Sequence, residues 1–475
     1  MLEEELVQLV KKVISEKCEK QHIELKKAAG GTPTKLYDTL SSFSNQLNGG
    51  IIIFGIDEEA GYEIIGVYDA QDLQKKVMEQ SLQMEPVVRP LFTVAQIMDK
   101  LIVSAEISEC DIYDKPCFYK GAGRLRGSYI RVGDSDQPMT EYEIYSYEAF
   151  KRNIHDELRT VERATKKNLS KDNTTEYLIK LRRQKQNLVN LDDGRILETQ
   201  GICQDDIPTL AGLMLMGEYP QEFFPQLSVT AMVVQGKEIG ELGNDGERFV
   251  DNKRIEGSIP QMLEGTLAFV RRNMKVKTII TEEGTRADKP EYPIKAVREI
   301  ILNALIHRDY SVHTDHSPIR LVMYEDRLEL ENPGGLYGRI TVDDLGKISA
   351  DTRNPYMAGA LEIMIDTENR FSGIPTVVAE LKKAGLPAPL FINKRGIFKV
   401  VFYKKTADQS KDSEIVQAIL NYCTTPRSRE ELAQHFGFET PTYFVKTYIA
   451  PLLADEKIKM TIPDKPKSKF QKYYS

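Results

Sequence analysis

The sequence predicts a multidomain protein of the mixed α+β class, and three observations lead to this prediction. A chain of 475 residues is too long for one hydrophobic core, so about three domains are expected. With 41% hydrophobic and 28% charged residues, the composition is that of an ordinary globular protein. Short continuous apolar runs, which are typical of buried strands, alternate with longer stretches whose apolar residues recur at helical spacing.

Composition and charge also exclude several classes of protein. No apolar run reaches the roughly 18–20 residues that span a bilayer, and the acidic N-terminal residues 1–5 lack the apolar core of a signal peptide. The five cysteines form no close pairs, which predicts reduced thiols. A net charge of −7 argues against a chain that coats nucleic acid along its whole surface. We therefore expect a cytoplasmic protein without membrane contact.

Residues 1–145 predict a first α+β domain. Leu6, Val10 and Val13 recur at helical spacing, whereas the apolar run 51–56 is continuous and predicts a buried strand. A second helix, over 33–48, would turn Leu36, Leu40, Phe43 and Leu47 inward and end at Asn48-Gly49-Gly50. The full set of predicted elements is a helix over 2–18, a strand at 23–26, the helix over 33–48, and strands at 51–56, 62–67, 92–98, 101–107 and 129–132.

The middle of the chain divides into two parts. Residues 146–195 are rich in charge, with Lys166-Lys167 and Arg182-Arg183, and they predict one or two exposed connecting helices. From Pro208 onward the sequence is apolar again. There we predict helices over 209–217 and 259–272, and strands at 226–234, 319–324, 327–331 and 397–402.

The most informative stretch runs from residue 298 to residue 310. Its apolar residues have helical spacing, and on that helix Glu299, Asn303 and His307 fall at i, i+4 and i+8 along one stripe. A carboxylate can orient a water molecule, and an amide oxygen one turn away can ligate a hard cation that also holds phosphate oxygens. Spacing alone favours the simpler interpretation, an amphipathic helix with a polar outer edge.

Residues 413–475 follow a polar linker and predict three helices and a β-hairpin. Ser428 and Glu431 form a capping box that begins the second helix, and Thr440-Pro441 begins the third. The strands at 458–462 and 470–474 enclose a lysine-bearing turn. Such an arrangement is a winged helix-turn-helix, which can contact either nucleic acid or protein. The candidate side chains for base and phosphate contacts are Thr442, Tyr443, Lys446, Lys465, Lys467 and Lys469.

Five short stretches of the first domain carry a family resemblance. They are Glu19-x-x-x-x-Glu24-Leu-Lys26, Phe43-Ser-Asn45, Asn48-Gly-Gly50, Phe54-Gly-Ile-Asp57 and Tyr129-Ile-Arg-Val-Gly133. Together they resemble the AlbA-like domain of the Schlafen family, which implies nucleic-acid binding. Cations around one loop and strand are then candidates for phosphate contacts, with a mobile charged loop as the alternative: Lys120, Arg124, Arg126 and Arg131.

The same resemblance implies a second activity for the first domain. Some Schlafen proteins are endoribonucleases that use three carboxylates near a metal ion, and Glu19, Glu24 and Asp57 align with those positions. Three carboxylates around a divalent ion would activate water for phosphodiester cleavage. Against this, an ion pair between Glu24 and Lys26 would suffice to explain that carboxylate.

A second resemblance combines the helix at 298–310 with three further stretches. These are Asp326-Arg-Leu-Glu-Leu-Glu-Asn-Pro-Gly-Gly-Leu336, Arg353-Asn-Pro-Tyr356 and Glu368-Asn-Arg-Phe-Ser-Gly-Ile374. They resemble the GHKL-type ATPases, and most closely the divergent branch found in bacterial proteins labelled RecG-related or transcriptional regulators. The segment from Pro208 and the C-terminal module resemble the same proteins. We therefore assign 196–405 to a GHKL-like α/β sandwich, 146–195 to a helical connector and 413–475 to the winged helix.

The GHKL resemblance implies roles for individual residues. Glu299 would be the general base, Asn303 would ligate Mg²⁺ bound to ATP, and the turn that opens with Asn332 would lie under the nucleotide. The implied nucleotide-binding set is Asn303, His307, Asn332, Gly334, Gly335 and Gly373. Asn332 replaces the usual acidic residue, and the second glycine box is reduced to Ser372-Gly373. Nucleotide binding with weak ATPase activity is expected, and the sequence contains no Gly-x-x-x-x-Gly-Lys-Ser/Thr motif of a P-loop helicase.

Together these resemblances imply an ATP-binding, nucleic-acid-binding regulator. The specific expectation is a DNA-binding transcriptional regulator, with DNA favoured over RNA, whose nucleic-acid contact is gated by ATP and Mg²⁺; self-association into a homo-oligomer is left open. One alternative is the metal-dependent nuclease, for instance in phage defence. The other is an assembly protein with a decayed nucleotide site, in which the winged helix is an oligomer contact.

Overall fold

The computed structural model describes residues 1–241, 246–280, 286–349, 351–365, 373–394, 396–404, 418–436, 444–454, 457–461 and 471–474. These residues form a mixed α+β structure whose larger sheets have four, six and three strands. None of the described helices combines the length and apolar character needed to span a bilayer.

The first sheet has the strand order β1-β2-β7-β6, with β1 and β2 parallel and the other neighbours antiparallel. Along β2, Ile52 and Phe54 pack beneath α2 and α3, whereas Ile53 faces the core under α1, as the alternation of a strand requires. The elements are α1 Glu3–Glu16, β1 Ile23–Lys26, α2 Tyr37–Asn45, β2 Gly50–Phe54, β3 Ile56–Asp57, β4 Glu63–Ile64, α3 Ala70–Ser81, β5 Met84–Glu85, β6 Leu91–Ile97, β7 Lys100–Ile107, β8 Phe118–Tyr119, α4 Gly123–Gly127, β9 Tyr129–Val132 and β10 Ser135–Pro138.

Most elements predicted for this region are confirmed, although the short elements β5, β8, α4 and β10 were not predicted and the predicted strand 62–67 is limited to β4. Gly55, with a φ of +102°, divides the predicted strand 51–56 into β2 and β3. Because α2 ends at Asn45, Leu47 lies beyond it and is 50% exposed, so its predicted inward position is wrong. Helix α3 was not predicted; Asp69 begins it by accepting hydrogen bonds from the backbone N–H groups of Gln71 and Asp72.

The six-stranded sheet has the order β14-β13-β17-β18-β20-β19, with only β13 and β17 parallel. Helices α9, α10 and α12 pack together and contribute to its core. The elements of this part are α5 Glu141–Lys151, α6 Lys171–Gln184, α7 Asp193–Thr199, β11 Cys203–Gln204, β12 Ile207–Pro208, α8 Leu210–Met216, β13 Val229–Val233, β14 Asp251–Ile255, α9 Ile259–Asn273, β15 Val276–Ile280, β16 Arg286–Pro290, α10 Ile294–His307, β17 Ile319–Met323, β18 Arg327–Pro333, α11 Pro355–Met364, α12 Gly373–Ala384, β19 Leu390–Lys394 and β20 Ile397–Tyr403.

The sequence predicted exposed helices for the connecting segment 146–195, but part of this segment is buried. Tyr177, Leu178 and Leu181 of α6 are buried in the same apolar cluster as α8, α9 and α10. The sequence prediction weighed the charged residues of this segment and missed the narrow apolar stripe between them. The apolar core is continuous across residue 195. The domain boundary proposed at that residue stays a prediction.

The C-terminal part contains a small antiparallel sheet of β21 Arg427–Ser428, β23 Lys472–Tyr474 and β22 Lys459–Met460, in that spatial order. Helix α13 Arg429–His435 begins at the predicted capping box, since the Ser428 hydroxyl accepts from the Glu431 N–H at 3.2 Å. Helix α14 Ala450–Ala454 follows a π-helical turn. The winged helix stays a prediction, because most of the residues proposed for its third helix and its wing lie outside the described residues. These are Thr440, Pro441, Thr442, Tyr443, Lys465, Lys467, Lys469 and the side chain of Lys446.

Candidate nucleotide-binding site

A cavity of about 200 Å³ lies between α10, the end of β18 with the turn after it, and the start of α12. Apolar side chains such as Ile300, Leu330 and Val400 form much of its wall. The polar residues on that wall include Asn303, His307, Asn332, Asp351 and Thr352. An apolar cavity with a few convergent polar groups is the usual form of a small-molecule site.

Helix α10 supplies one edge of the cavity. Its apolar face is buried through residues such as Val297, Ile301 and Leu305, which leaves Glu299 and Asn303 half-buried at the margin. The helix ends where the Asn354 amide donates hydrogen bonds to the carbonyls of Ile306, at 2.8 Å, and Arg308, at 2.7 Å. The predicted stripe with Glu299 and Asn303 therefore lies on the side of α10 that borders the cavity, where these side chains can reach a ligand.

The start of α12 lies against this edge. A methyl group placed on Gly373 would be 3.0 Å from Asn303 Nδ2 and 3.5 Å from Glu299 Oε2. A side chain at residue 373 would therefore press on both groups, and glycine leaves that space open. The structure brings together Glu299, Asn303 and Gly373 as the sequence proposed, although their chemical roles stay predictions.

Asn332, at the end of β18, has an unusual environment. Its side chain is 5% exposed and lines the cavity, and among the described residues its Oδ1 atom has no hydrogen-bond partner. A buried acceptor without a donor costs about 1–3 kcal/mol. A ligand N–H group in the cavity would supply the missing donor once the Asn332 side chain turns its shielded Oδ1 toward the cavity.

Two ionisable groups at α10 are displaced from their ordinary pKa values. Partial burial raises the pKa of Glu299, although the nearby Arg298 guanidinium lowers it. His307 lines the cavity. The surrounding protein keeps bulk water from the ring, and this desolvation, together with the charge of Arg353, lowers the pKa of His307 to about 4. Near neutral pH His307 is therefore uncharged, and it contributes hydrogen-bonding capacity rather than positive charge.

The turn from Asn332 to Gly338, hereafter the glycine turn, is held from behind by residues to which the sequence gave no role. Gly334 has a φ of +101°, and a methyl group there would lie 2.5 Å from Arg353 Nη1. The Arg353 guanidinium donates to the Gly335 carbonyl at 3.3 Å, and Asn393 Oδ1 accepts from the Leu336 N–H at 3.0 Å. Arg353 belongs to a stretch that carried the resemblance, whereas Asn393 gave no signal in the sequence.

The carboxylates proposed for a nuclease are placed differently. Arg131 Nη2 lies 2.7 Å from Glu24 and 3.8 Å from Glu19, and Arg131 Nη1 lies 3.0 Å from Asp136. Asp57 is instead paired with Lys27 at 3.0 Å. Among the described residues no three His, Cys, Asp or Glu side chains are grouped to hold a metal ion. The arrangement therefore gives no support to the nuclease alternative.

The predicted phosphate contacts of the first domain also divide into two groups. Arg131 is 4% exposed and ion-paired on both sides, so its prediction as a phosphate contact is wrong. Arg124 is half-buried and paired with Glu148 of α5. Lys120 and Arg126 are exposed and accessible to a phosphate.

Comparison with known proteins finds family models that match these regions. Residues 19–140 match the family model described as "Schlafen, AlbA_2". Residues 316–402 match the HATPase_c_4 model, described as "Putative ATP-dependent DNA helicase recG C-terminal", and residues 414–474 match "Filamentation induced by cAMP protein Fic-like, C-terminal domain". The resemblances inferred for the first and central regions are thereby confirmed: the chain is a mixed α+β multidomain protein with a Schlafen AlbA_2 domain and an HATPase-like domain.

Two solved structures were also found to be similar. The DIP2311 protein from Corynebacterium diphtheriae has 17% identity, with 94% of this chain and 92% of that chain covered and a TM-score of 0.41. The N-terminal domain of a RecG-related protein from Nitrosomonas europaea has 25% identity, with 28% of this chain and 92% of that chain covered and a TM-score of 0.23. A search of curated protein sequences found no match.

Proposed function

We propose that this protein binds ATP with Mg²⁺ in the cavity beside α10, and that it is a DNA-binding transcriptional regulator whose nucleic-acid contact is gated by the nucleotide. The observation that carries the nucleotide part is the Oδ1 atom of Asn332, a residue of the cavity wall: this atom is buried and has no partner among the described residues. The exocyclic amino group of adenine is a donor of the required kind. The HATPase-like match of residues 316–402 supports the same choice of ligand.

The residues at the margin of the cavity fit a magnesium-bound triphosphate. Asn303 offers an amide oxygen and Glu299 a carboxylate, and Mg²⁺ prefers oxygen ligands. The space kept open by Gly373 lies against both side chains. Asn303 would hold the ion, which when bound neutralises phosphate charge. Glu299, whose pKa is raised by partial burial, would accept a proton from water and so support weak hydrolysis.

Nucleotide binding is tested by titrating fluorescent ATP with Mg²⁺ into the wild type and Asn303→Ala. We expect saturable binding to the wild type and a loss of tenfold or more in the variant, about 1.4 kcal/mol. Asn252→Ala, an exposed asparagine on the edge strand β14, is the matched control and should bind like the wild type. Equally weak binding by the wild type and Asn303→Ala would remove the proposal.

The nucleic-acid part is supported by the Schlafen AlbA_2 match and by the exposed cations Lys120 and Arg126. Each phosphate contact contributes about −0.9 to the slope of log affinity against log salt for duplex DNA. Replacing both residues by alanine should therefore reduce the slope by up to about two. The exposed pair Lys11 and Lys12 on α1 provides a matched double variant that should leave it unchanged.

Electrophoretic shifts with duplex DNA and with RNA, each at two salt concentrations, measure this slope. Tighter binding of DNA is expected. Binding that does not change with salt would instead favour the assembly protein, because phosphate contacts release counterions.

A further inference from the structure

Helix α5, which follows the AlbA_2 domain in sequence, lies against the glycine turn of the cavity. Tyr337 of that turn lines the cavity, and its ring meets the Phe150 ring edge-on, at 5.4 Å between centroids. On its other side Phe150 packs against Tyr113, at 5.1 Å. Tyr113 lies in the loop after β7 of the AlbA_2 domain. A continuous aromatic contact therefore joins the cavity wall to that domain.

A second, polar contact joins the glycine turn to α5. Arg353 lies over the Tyr337 ring at 5.0 Å, donates to the Gly335 carbonyl, and forms an ion pair with Asp309 at 3.1 Å. Asp309 Oδ2 in turn accepts a hydrogen bond from the hydroxyl of Tyr142, on α5, at 2.8 Å. Asp309 and Arg353 are 4% and 7% exposed, so their charges depend on one another and on Tyr142 rather than on solvent.

The Tyr142 ring also fixes the backbone beneath the turn. A methyl group placed on Gly396 would lie 2.5 Å from Tyr142 Cε1, and the Gly396 carbonyl accepts from the Gly334 N–H at 2.8 Å. The glycine turn is thus held by α5 at both ends, through Tyr142 below Gly334 and through Phe150 beside Tyr337. A shift of the turn would break or tighten both contacts together, because packed interiors do not deform smoothly.

We propose that α5 senses occupancy of the nucleotide cavity: Tyr142 and Phe150 are positioning residues that link the glycine turn to the AlbA_2 domain. The inference rests on the proposed ATP binding and specifies its regulation. A nucleotide shifts a conformational equilibrium only if the two states bind it differently. Contacts between the nucleotide and the glycine turn would provide this difference in affinity. A ligand that fixes the position of the turn would also fix Tyr142 and Phe150, which contact it.

Hydrogen exchange of the full chain, with and without Mg²⁺ and a non-hydrolysable ATP analogue, tests the link. In the wild type we expect the nucleotide to slow exchange by about fivefold or more in α5 and in residues 110–117, the lower end of usual coupling strengths. Tyr142→Phe and Phe150→Leu should each remove most of this slowing in α5, with nucleotide affinity, measured by calorimetry, still detectable.

Tyr145→Phe is the matched control. It lies on the same helix and loses a hydroxyl bonded to Asp156 at 2.5 Å, which is not part of the glycine turn. The control should keep the wild-type response, whereas a general loosening of α5 would alter all three variants alike.

The outcomes separate the two proposals. No calorimetric binding of the analogue to the wild type defeats the proposed function itself. If the wild type binds the analogue without any change of hydrogen exchange in α5, only the proposed coupling between the cavity and α5 is defeated. This result comes from the wild type alone, so it holds even if a variant fails to fold. An unchanged response in both Tyr142→Phe and Phe150→Leu would also overturn the assignment of these two residues.

Discussion

The cavity beside α10 and the carboxylate cluster of the AlbA_2 domain both bury polar side chains but differ in how the polar atoms are satisfied. In the cluster, Arg131 lies between Glu24 and Asp136, and Glu19 is close by. In the cavity wall, Asn332 contributes a buried Oδ1 atom that has no partner among the described residues.

The difference teaches how a structural cluster is distinguished from a binding site. Burying a charge is costly unless another charge compensates it, and in the cluster Arg131 provides that compensation for Glu24 and Asp136. In the cavity the compensation is missing and there is room for a ligand to provide it. Substitutions should accordingly damage folding in the first region and binding in the second.

The largest effect is expected from Arg131→Met. Removing this cation leaves Asp136 without its counter-charge and Glu24 with Lys26 alone, and breaking such a buried network costs about 3–5 kcal/mol. We expect the free energy of unfolding of the AlbA_2 domain to fall by this amount in denaturant titrations of the full chain followed by circular dichroism.

Lys27→Met is the control for this prediction. Lys27 pairs with Asp57 and Glu59 at the surface, where solvent screens the charges, so its loss should change stability little. Equal stability of Arg131→Met and the wild type would mean that the cluster is not held by this arginine, and the contrast with the cavity would disappear.

Local patterns in the sequence were sufficient to locate much of the fold. Helix α10 follows from apolar spacing and strand β2 from apolar continuity, and both patterns depend only on neighbouring residues. The capping box at Ser428 was equally local. The stripe of Glu299 and Asn303 was predictable for the same reason, because a helix fixes where residues four apart point.

What the sequence missed depends on contacts between distant residues. Arg131 looked like a phosphate contact because nothing local reveals that Glu24 and Asp136 meet it in the interior. Tyr142 bonds Asp309 across 167 positions of sequence, a distance over which no spacing rule applies. The unpartnered state of Asn332 is likewise a property of packing, although the glycine turn that follows it was visible.

Asn332→Leu should have the next largest effect. This substitution should weaken ATP binding rather than destabilise the fold. Leucine has the same branched arrangement of side-chain heavy atoms as asparagine but offers no acceptor, so ATP affinity should fall by about tenfold to a hundredfold, or roughly 1–3 kcal/mol. The stability of the free protein should stay level or rise, since a buried acceptor without a donor is removed.

Calorimetric titration with ATP and thermal unfolding of the same samples check both halves of this prediction. Asn332→Asp keeps an acceptor at the position and should retain ATP binding. Unchanged affinity in Asn332→Leu would show that the orphan acceptor does not contact the nucleotide, and the carrying observation of the proposed function would be lost.

The smallest effect concerns the pH dependence of the AlbA_2 domain through Glu19. Burial, with the neighbouring Glu24 carboxylate, raises the pKa of Glu19 from 4.5 to about 7. Between these values the folded chain holds a proton that the unfolded chain releases, so stability should fall as pH rises from about 4.5 to about 7 and then level off. Glu19→Gln removes this fall, on the order of 1 kcal/mol because solvent screens part of the repulsion.

The glutamine can still accept the hydrogen bond that the Leu25 N–H donates at 2.6 Å, so the substitution isolates the charge. The measurement is the difference in unfolding free energy between Glu19→Gln and the wild type across that pH range. The exposed Glu16, whose pKa is lowered through Lys20, gives a control variant, Glu16→Gln, in which the fall should persist. A pH-independent difference for Glu19→Gln would mean that the cluster tolerates an ionised Glu19. Its compensation by Arg131 would then be more complete than the positions of these side chains indicate.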